Sequence, residues 1–189
     1  DPDFHPNAYG HTLIANVIAA VLSISTPEQG EEIQIGDKML TGSADSPDYA
    51  KTDDTGAVQT DGASANDWNI KWDGETLTLN GANISGGISA STIHTIDLIA
   101  TNTIANEDEN GIYVENDLII SGNGSLEVKG RLYGIYALND LLISGSTVIA
   151  SASDPQGAGI YTLNGSVSVS PVSGKEIAVK VGPNADSAM

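Results

Sequence analysis

Tyr113, Tyr136 and Tyr161 each close the triplet Gly-Ile-Tyr, so one repeated structural position carries all three rings. Facing outward, they make an aromatic strip of a size suited to sugar rings. The same strip serves equally well to stabilise a stack of strands with no ligand present. Asp117 and Asp140 recur in the same frame, which sets two carboxylates one repeat apart. Like charges at ~5 Å repel unless a cation or water lies between them. Calcium, which takes oxygen ligands, is the natural cation for such a row. Glu107, Asp108 and Glu109, framed by Asn106 and Asn110, form a second acidic candidate. Both acidic sets read alternatively as solvated surface charge. Asn116, Asn139 and Asn164 follow the repeat glycines at a constant interval and read as a ladder of amides hydrogen-bonded up a stack.

The element that carries these rows must itself repeat. Gly87-Ile88, Gly111-Ile112, Gly134-Ile135 and Gly159-Ile160 recur at spacings of 24, 23 and 25 residues. An aliphatic strand follows three of them: Leu118-Ile119-Ile120, Leu141-Leu142-Ile143, then Val167 with Val169. A turn of small residues comes next, then a second short strand such as Leu126-Glu127-Val128 or Val148-Ile149-Ala150. An earlier, looser copy aligns Ile96–Ile104 with Leu118–Leu126 at an offset of 22. A period of this length implies a solenoid, propeller or array. It is too short for a four-stranded propeller blade of ~40 residues and shows no helical period. Two or three short parallel strands per turn, a parallel β-helix, remain. Successive coils would lie ~4.8 Å apart, stacking Ile112, Ile135 and Ile160 inward and the tyrosines on the other side.

Upstream of the repeats the pattern is weaker. Glu31 to Ile35 alternates like a strand before a Gly36-Asp37 turn. Residues 42–66 read as a long surface loop with one short strand. Trp68, Ile70 and Trp72 alternate before Asp73-Gly74, and Thr76 to Leu79 reads as the returning strand. Residues 7–23 carry the one helical stripe, with Leu13, Ile14, Val17, Ile18, Val21 and Leu22 on one face. The resulting division is 1–26, a terminal piece of another domain; 27–67, linker and first strands; and 68–189, the repeat domain.

Composition narrows the function classes. Among 189 residues, 25 are Asp or Glu and 7 Lys or Arg, a net charge of −18 that repels phosphate backbones and excludes nucleic acid as a partner. The apolar stretch from Leu13 to Ile24 is about half of a bilayer span, so no membrane-spanning helix is expected. The absence of cysteine removes disulfides and thiolate chemistry, and three scattered histidines make zinc improbable. An acidic, Lys-poor, cysteine-free chain suits an extracellular or cell-surface bacterial protein, read here as a monomer.

Asp1-Pro2-Asp3-Phe4-His5-Pro6-Asn7, with the helix after it, resembles the last block of SGNH (GDSL-type) hydrolases. That resemblance implies that His5 is the base that activates a serine and that a carboxylate orients it, with Asp3 the better match because Pro2 takes the usual Asp position. The family's nucleophile block is not in this sequence, so the chain reads as a fragment without esterase activity of its own. Residues 32–180 resemble a family of extracellular β-helical carbohydrate-binding domains. The similarity rests on Thr76-Leu77-Thr78-Leu79-Asn80-Gly81-Ala82-Asn83-Ile84, on Ala100-Thr101-Asn102-Thr103-Ile104, and on the repeat starting at Gly111-Ile112-Tyr113. It implies a right-handed parallel β-helix, an acidic plant polysaccharide as partner, and bound calcium. The expectation is therefore a secreted carbohydrate esterase tail joined to a polysaccharide-binding solenoid. A structural stalk or adhesin segment is the second reading. A polysaccharide lyase, with Lys129 or Arg131 as base, is the third.

Overall fold

The computed structural model describes residues 31–170 and the backbone of Ala178 and Val179. The expected helix, His5 and Asp3 lie outside these residues. Among the described residues every regular element is a strand. Five come first: β1 (Ile33–Ile35), β2 (Lys38–Leu40), β3 (Asp48–Thr52), β4 (Val58–Gln59) and β5 (Ile70–Trp72). Strands then arrive in threes. The first coil is β6 (Thr76–Leu79), β7 (Asn83–Ser85) and β8 (Ile88–Ala90). The second is β9 (Thr95–Leu98), β10 (Thr101–Ala105) and β11 (Ile112–Val114). The third is β12 (Leu118–Gly122), β13 (Ser125–Gly130) and β14 (Tyr133–Ala137). The fourth is β15 (Leu141–Ser144), β16 (Thr147–Ala152) and β17 (Ala158–Thr162). A further turn begins with β18 (Val167–Ser170) and β19 (Ala178–Val179).

Each strand pairs in parallel with its counterpart one coil away, which builds three sheets around one core. The protein is a parallel β-solenoid of about four turns. Ile88, Ile112, Ile135 and Ile160 are in register along one sheet, and the first three are buried. Leu118 with Leu141, and Ile120 with Ile143, do the same on another. Inward and outward positions alternate because strand side chains have a period of two.

The repeat glycine has a steric cause. A Cβ on Gly111 would stand 2.7 Å from the Gly134 carbonyl oxygen, and one on Gly134 2.6 Å from that of Gly159. Neighbouring coils approach backbone to backbone at this corner, where only glycine fits.

The register of the earlier copy differs from the sequence alignment. Ile96 pairs with Ile120 rather than Leu118, and Ile104 with Val128 rather than Leu126. The slip is two residues, and a two-residue slip keeps every side chain on its original face. Hydrophobic alternation therefore cannot distinguish the two alignments.

Residues 33–67 join the solenoid. Strand β1 lies antiparallel on β8, and the β5–β6 hairpin, with β3 beyond it, extends the sheet of β9, β12, β15 and β18. The exposed edge of the third sheet is covered by a turn: the Ser85 N–H donates to the Gly56 carbonyl at 2.7 Å and the Asn83 N–H to Thr52 Oγ1 at 3.2 Å. Asp53 shapes that turn by accepting the N–H groups of Thr55 and Ala57, which holds its carboxyl below the usual range, the Thr55 hydroxyl bond contributing most. Parallel strand edges are aggregation-prone, and here antiparallel strands and a turn close all three. Trp72 is fully buried beneath this cover, with its indole N–H donating to the Glu31 carbonyl at 2.6 Å. The stretch 42–66 holds two strands, β3 and β4, where one was expected.

Candidate functional site

The tyrosine row forms as the repeat spacing requires, and it stacks on itself. Tyr113 and Tyr136 lie 5.3 Å apart between ring centroids with planes 4° from parallel; Tyr136 and Tyr161 are at 5.5 Å and 8°. A fourth ring, Tyr133, joins at 4.7 Å from Tyr161 and 5.5 Å from Tyr136. Tyr133 was not among the sequence candidates. Counting alternately from Ile135 turns it inward, but alternation breaks at Gly134, which is buried next to buried Ile135.

Stacking changes what the row can do. A sugar packs on the flat face of a ring, and the faces between Tyr113 and Tyr161 are turned to other tyrosines. Among the described residues the row has Tyr113 at one end. One coil below, its register partner is Ser89, too small to cover an aromatic face. A cleft of about 660 Å³ opens there, bordered by Tyr113, Ser89, Gln34 of the β1–β2 hairpin, and the loops carrying Asp108, Glu109 and Arg131. Burial, then the charge of Glu115 and the 3.3 Å hydrogen bond donated to it, hold the Tyr113 hydroxyl above its ordinary pKa, so it stays neutral over the physiological range.

Asn106 builds the acidic side of the cleft. Its Oδ1 accepts the N–H groups of Asp108 and Glu109, both at 3.2 Å, and its Nδ2 donates to the Asn110 carbonyl at 2.9 Å. Arg131 fastens the loop from the next coil: its Nε donates to the Asp108 carbonyl at 2.9 Å and its backbone N–H to that of Glu109 at 2.6 Å. The Arg131 side chain makes no ion pair among the described residues, and the Asp108 and Glu109 carboxylates accept no hydrogen bond there. Glu107 is exposed on the same loop but does not line the cleft. Lys129 is exposed and also outside it.

Asp117 and Asp140 are neighbours, and their carboxylates bind backbone. Asp117 Oδ1 accepts the Asp140 N–H at 3.0 Å, and Asp140 Oδ1 accepts the Ser166 N–H at 2.7 Å. They stand at the corner before β12 and β15, whereas the 107–109 loop precedes β11. Among the described residues no group of three or more His, Cys, Asp or Glu side chains converges on a point. In each of the two carboxylates it is Oδ1 that is engaged with an N–H group. The asparagine ladder is also partial. Asn116 Nδ2 donates to the Ser91 carbonyl at 2.7 Å, while among the described residues Asn139 and Asn164 have no side-chain bond to a neighbouring coil. Asp117 and Asp140, one residue further on, carry that ladder by accepting the N–H groups of Asp140 and Ser166.

The asparagine that does hold coils together is Asn102. It is fully buried at an inward position, in register with Leu126. Its Oδ1 accepts the Ala82 N–H at 2.9 Å, and its Nδ2 donates to the Ala100 and Ser125 carbonyls at 2.8 and 3.2 Å. One amide thus links three successive coils. The signal was present in Ala100-Thr101-Asn102-Thr103-Ile104, where a polar residue interrupts an inward row.

Compared with known proteins, the chain matches no family model, no curated protein and no solved structure.

Proposed function

We propose that the solenoid is a polysaccharide-binding module of a secreted or cell-surface bacterial protein. The observation carrying this reading is the cleft at the end of the tyrosine stack, where the uncovered face of Tyr113 meets a guanidinium, two carboxylates and an amide. An aromatic face beside a few polar groups that fix orientation is the chemistry a sugar ring needs. The reading takes the coil to be right-handed, the hand that nearly all parallel crossovers adopt. It includes a role as the tethering part of an SGNH-type carbohydrate esterase, which rests on the resemblance of residues 1–24 alone. Holding such an enzyme on its substrate would raise the effective concentration of acyl groups around it.

Retention on immobilised polysaccharides, acidic and neutral, tests the proposal with the full 189-residue chain. Binding to at least one, weakened by Tyr113→Ala, is expected. Passage through every column without delay would leave the stalk reading in its place, since a spacer needs the stacked coils and no cleft.

A further inference from the structure

We infer that the cleft beneath Tyr113 receives an uncharged sugar residue and disfavours a uronate, an inference that rests on the binding-module reading above. The charges that line it decide this. Asp108 and Glu109 put two carboxylates at the rim against one guanidinium, that of Arg131. The whole chain carries −18 as well. A uronate entering this field meets net repulsion with no second cation to answer it.

The hydrogen-bonding groups point the same way. The Arg131 Nε is held by the Asp108 carbonyl, which leaves its terminal nitrogens as donors. The carboxylates of Asp108 and Glu109 are free acceptors. Gln34 donates its Nε2 to the Gly36 carbonyl at 3.1 Å, so its Oε1 is left to accept. Acceptors outnumber donors around the opening. A sugar hydroxyl supplies the missing donors, because each O–H donates once and still accepts. A carboxylate on the ligand supplies acceptors only. Ser89 completes the fit: on the coil below Tyr113 it keeps the ring face open where an aromatic residue would close it.

The test compares neutral hexasaccharides of glucose and of xylose with hexagalacturonate, by calorimetry at low salt, with and without calcium. The wild-type chain is expected to bind a neutral hexasaccharide at least about tenfold more tightly than hexagalacturonate, a difference of ~1.4 kcal/mol. Ser89→Trp, which fills the cleft from an exposed position, is expected to remove neutral binding while leaving the melting temperature in place. The double variant Asp108→Asn with Glu109→Gln is expected to narrow the gap by improving hexagalacturonate binding. Tighter binding of hexagalacturonate than of either neutral ligand overturns this inference; its loss in Ser89→Trp leaves the module reading standing, and its persistence there overturns that reading of the cleft as well. Binding of none of the three ligands, with the fold intact by circular dichroism, overturns both.

Discussion

Asp140 Oδ1 accepts both the backbone N–H and the hydroxyl of Ser166, at 2.7 and 3.0 Å, one coil further along the solenoid. Both bonds favour the ionised carboxylate and hold its pKa below 3.8, the backbone N–H contributing most. The sign follows directly. A depressed folded pKa adds stability above 3.8, and that contribution disappears as pH falls through the lower folded value. Asp140→Asn keeps an acceptor but loses the charge. Its melting temperature is expected to lie slightly below wild type at neutral pH, with the gap closing as pH drops beneath 3.8. A gap independent of pH shows that the charge is immaterial at this corner.

Asn102 is the most consequential polar side chain of the core. Asn102→Leu keeps the branching of the side chain and orphans the buried Ala82 N–H, while the Ala100 carbonyl retains the Ser125 N–H. An unsatisfied buried donor costs about 1–3 kcal/mol, so the urea midpoint is expected to fall clearly, with the slope unchanged. An unaltered midpoint shows that water or relaxation satisfies this group.

Gly134→Ala places a methyl group 2.6 Å from the Gly159 carbonyl oxygen and 2.8 Å from that of Ser151, both backbone atoms that cannot swing aside. Overpacking of this kind costs about 1–3 kcal/mol. Ser89→Ala, at an exposed position on the same sheet, should be nearly silent in the same denaturation experiment.

Tyr136 stacks on Tyr113, Tyr133 and Tyr161, whereas Tyr113 stacks on Tyr136 alone. Each aromatic pair is worth about 0.5–1.5 kcal/mol beyond burial. Tyr136→Leu is therefore expected to destabilise more than Tyr113→Leu, and to remove more of the near-ultraviolet circular dichroism. Equal effects would falsify a cooperative stack.

Calcium and magnesium at equal concentration are expected to raise the melting temperature equally. With a net charge of −18, either ion screens self-repulsion, and Asp117 and Asp140 already bind N–H groups. A greater rise in calcium that vanishes in Asp117→Asn reveals a resident site at that corner.

The coil was legible because its cause is repeated. Gly-Ile-Tyr recurs since each copy meets the same steric corner, so three copies announce one structure. The strands that close the first coil left a fainter trace, since Ile33, Ile35, Leu40 and Val58 reach the core from short antiparallel pieces with no period between them. The tyrosine row was visible as spacing, but its use was not. That each ring covers the next depends on plane orientation, which spacing does not encode. The cleft was harder still, because it arises where the row stops: Ser89 takes the place of a tyrosine, and an aromatic motif search passes over it. The backbone bonds of Asp117 and Asp140 were not legible, because their partners lie in the following coil and carry no side-chain signature.

The antiparallel cover over the first coil gives the solenoid a direction. A chain emerging from the ribosome presents β1 to β5 before the described parallel coils. Once β6, β7 and β8 lie beneath that cover, each later coil finds a finished edge as its template, so the protein can be assembled vectorially, one rung per ~24 residues translated. Duplication or loss of one whole rung in its gene would change the length of the rod while sparing the end where assembly starts.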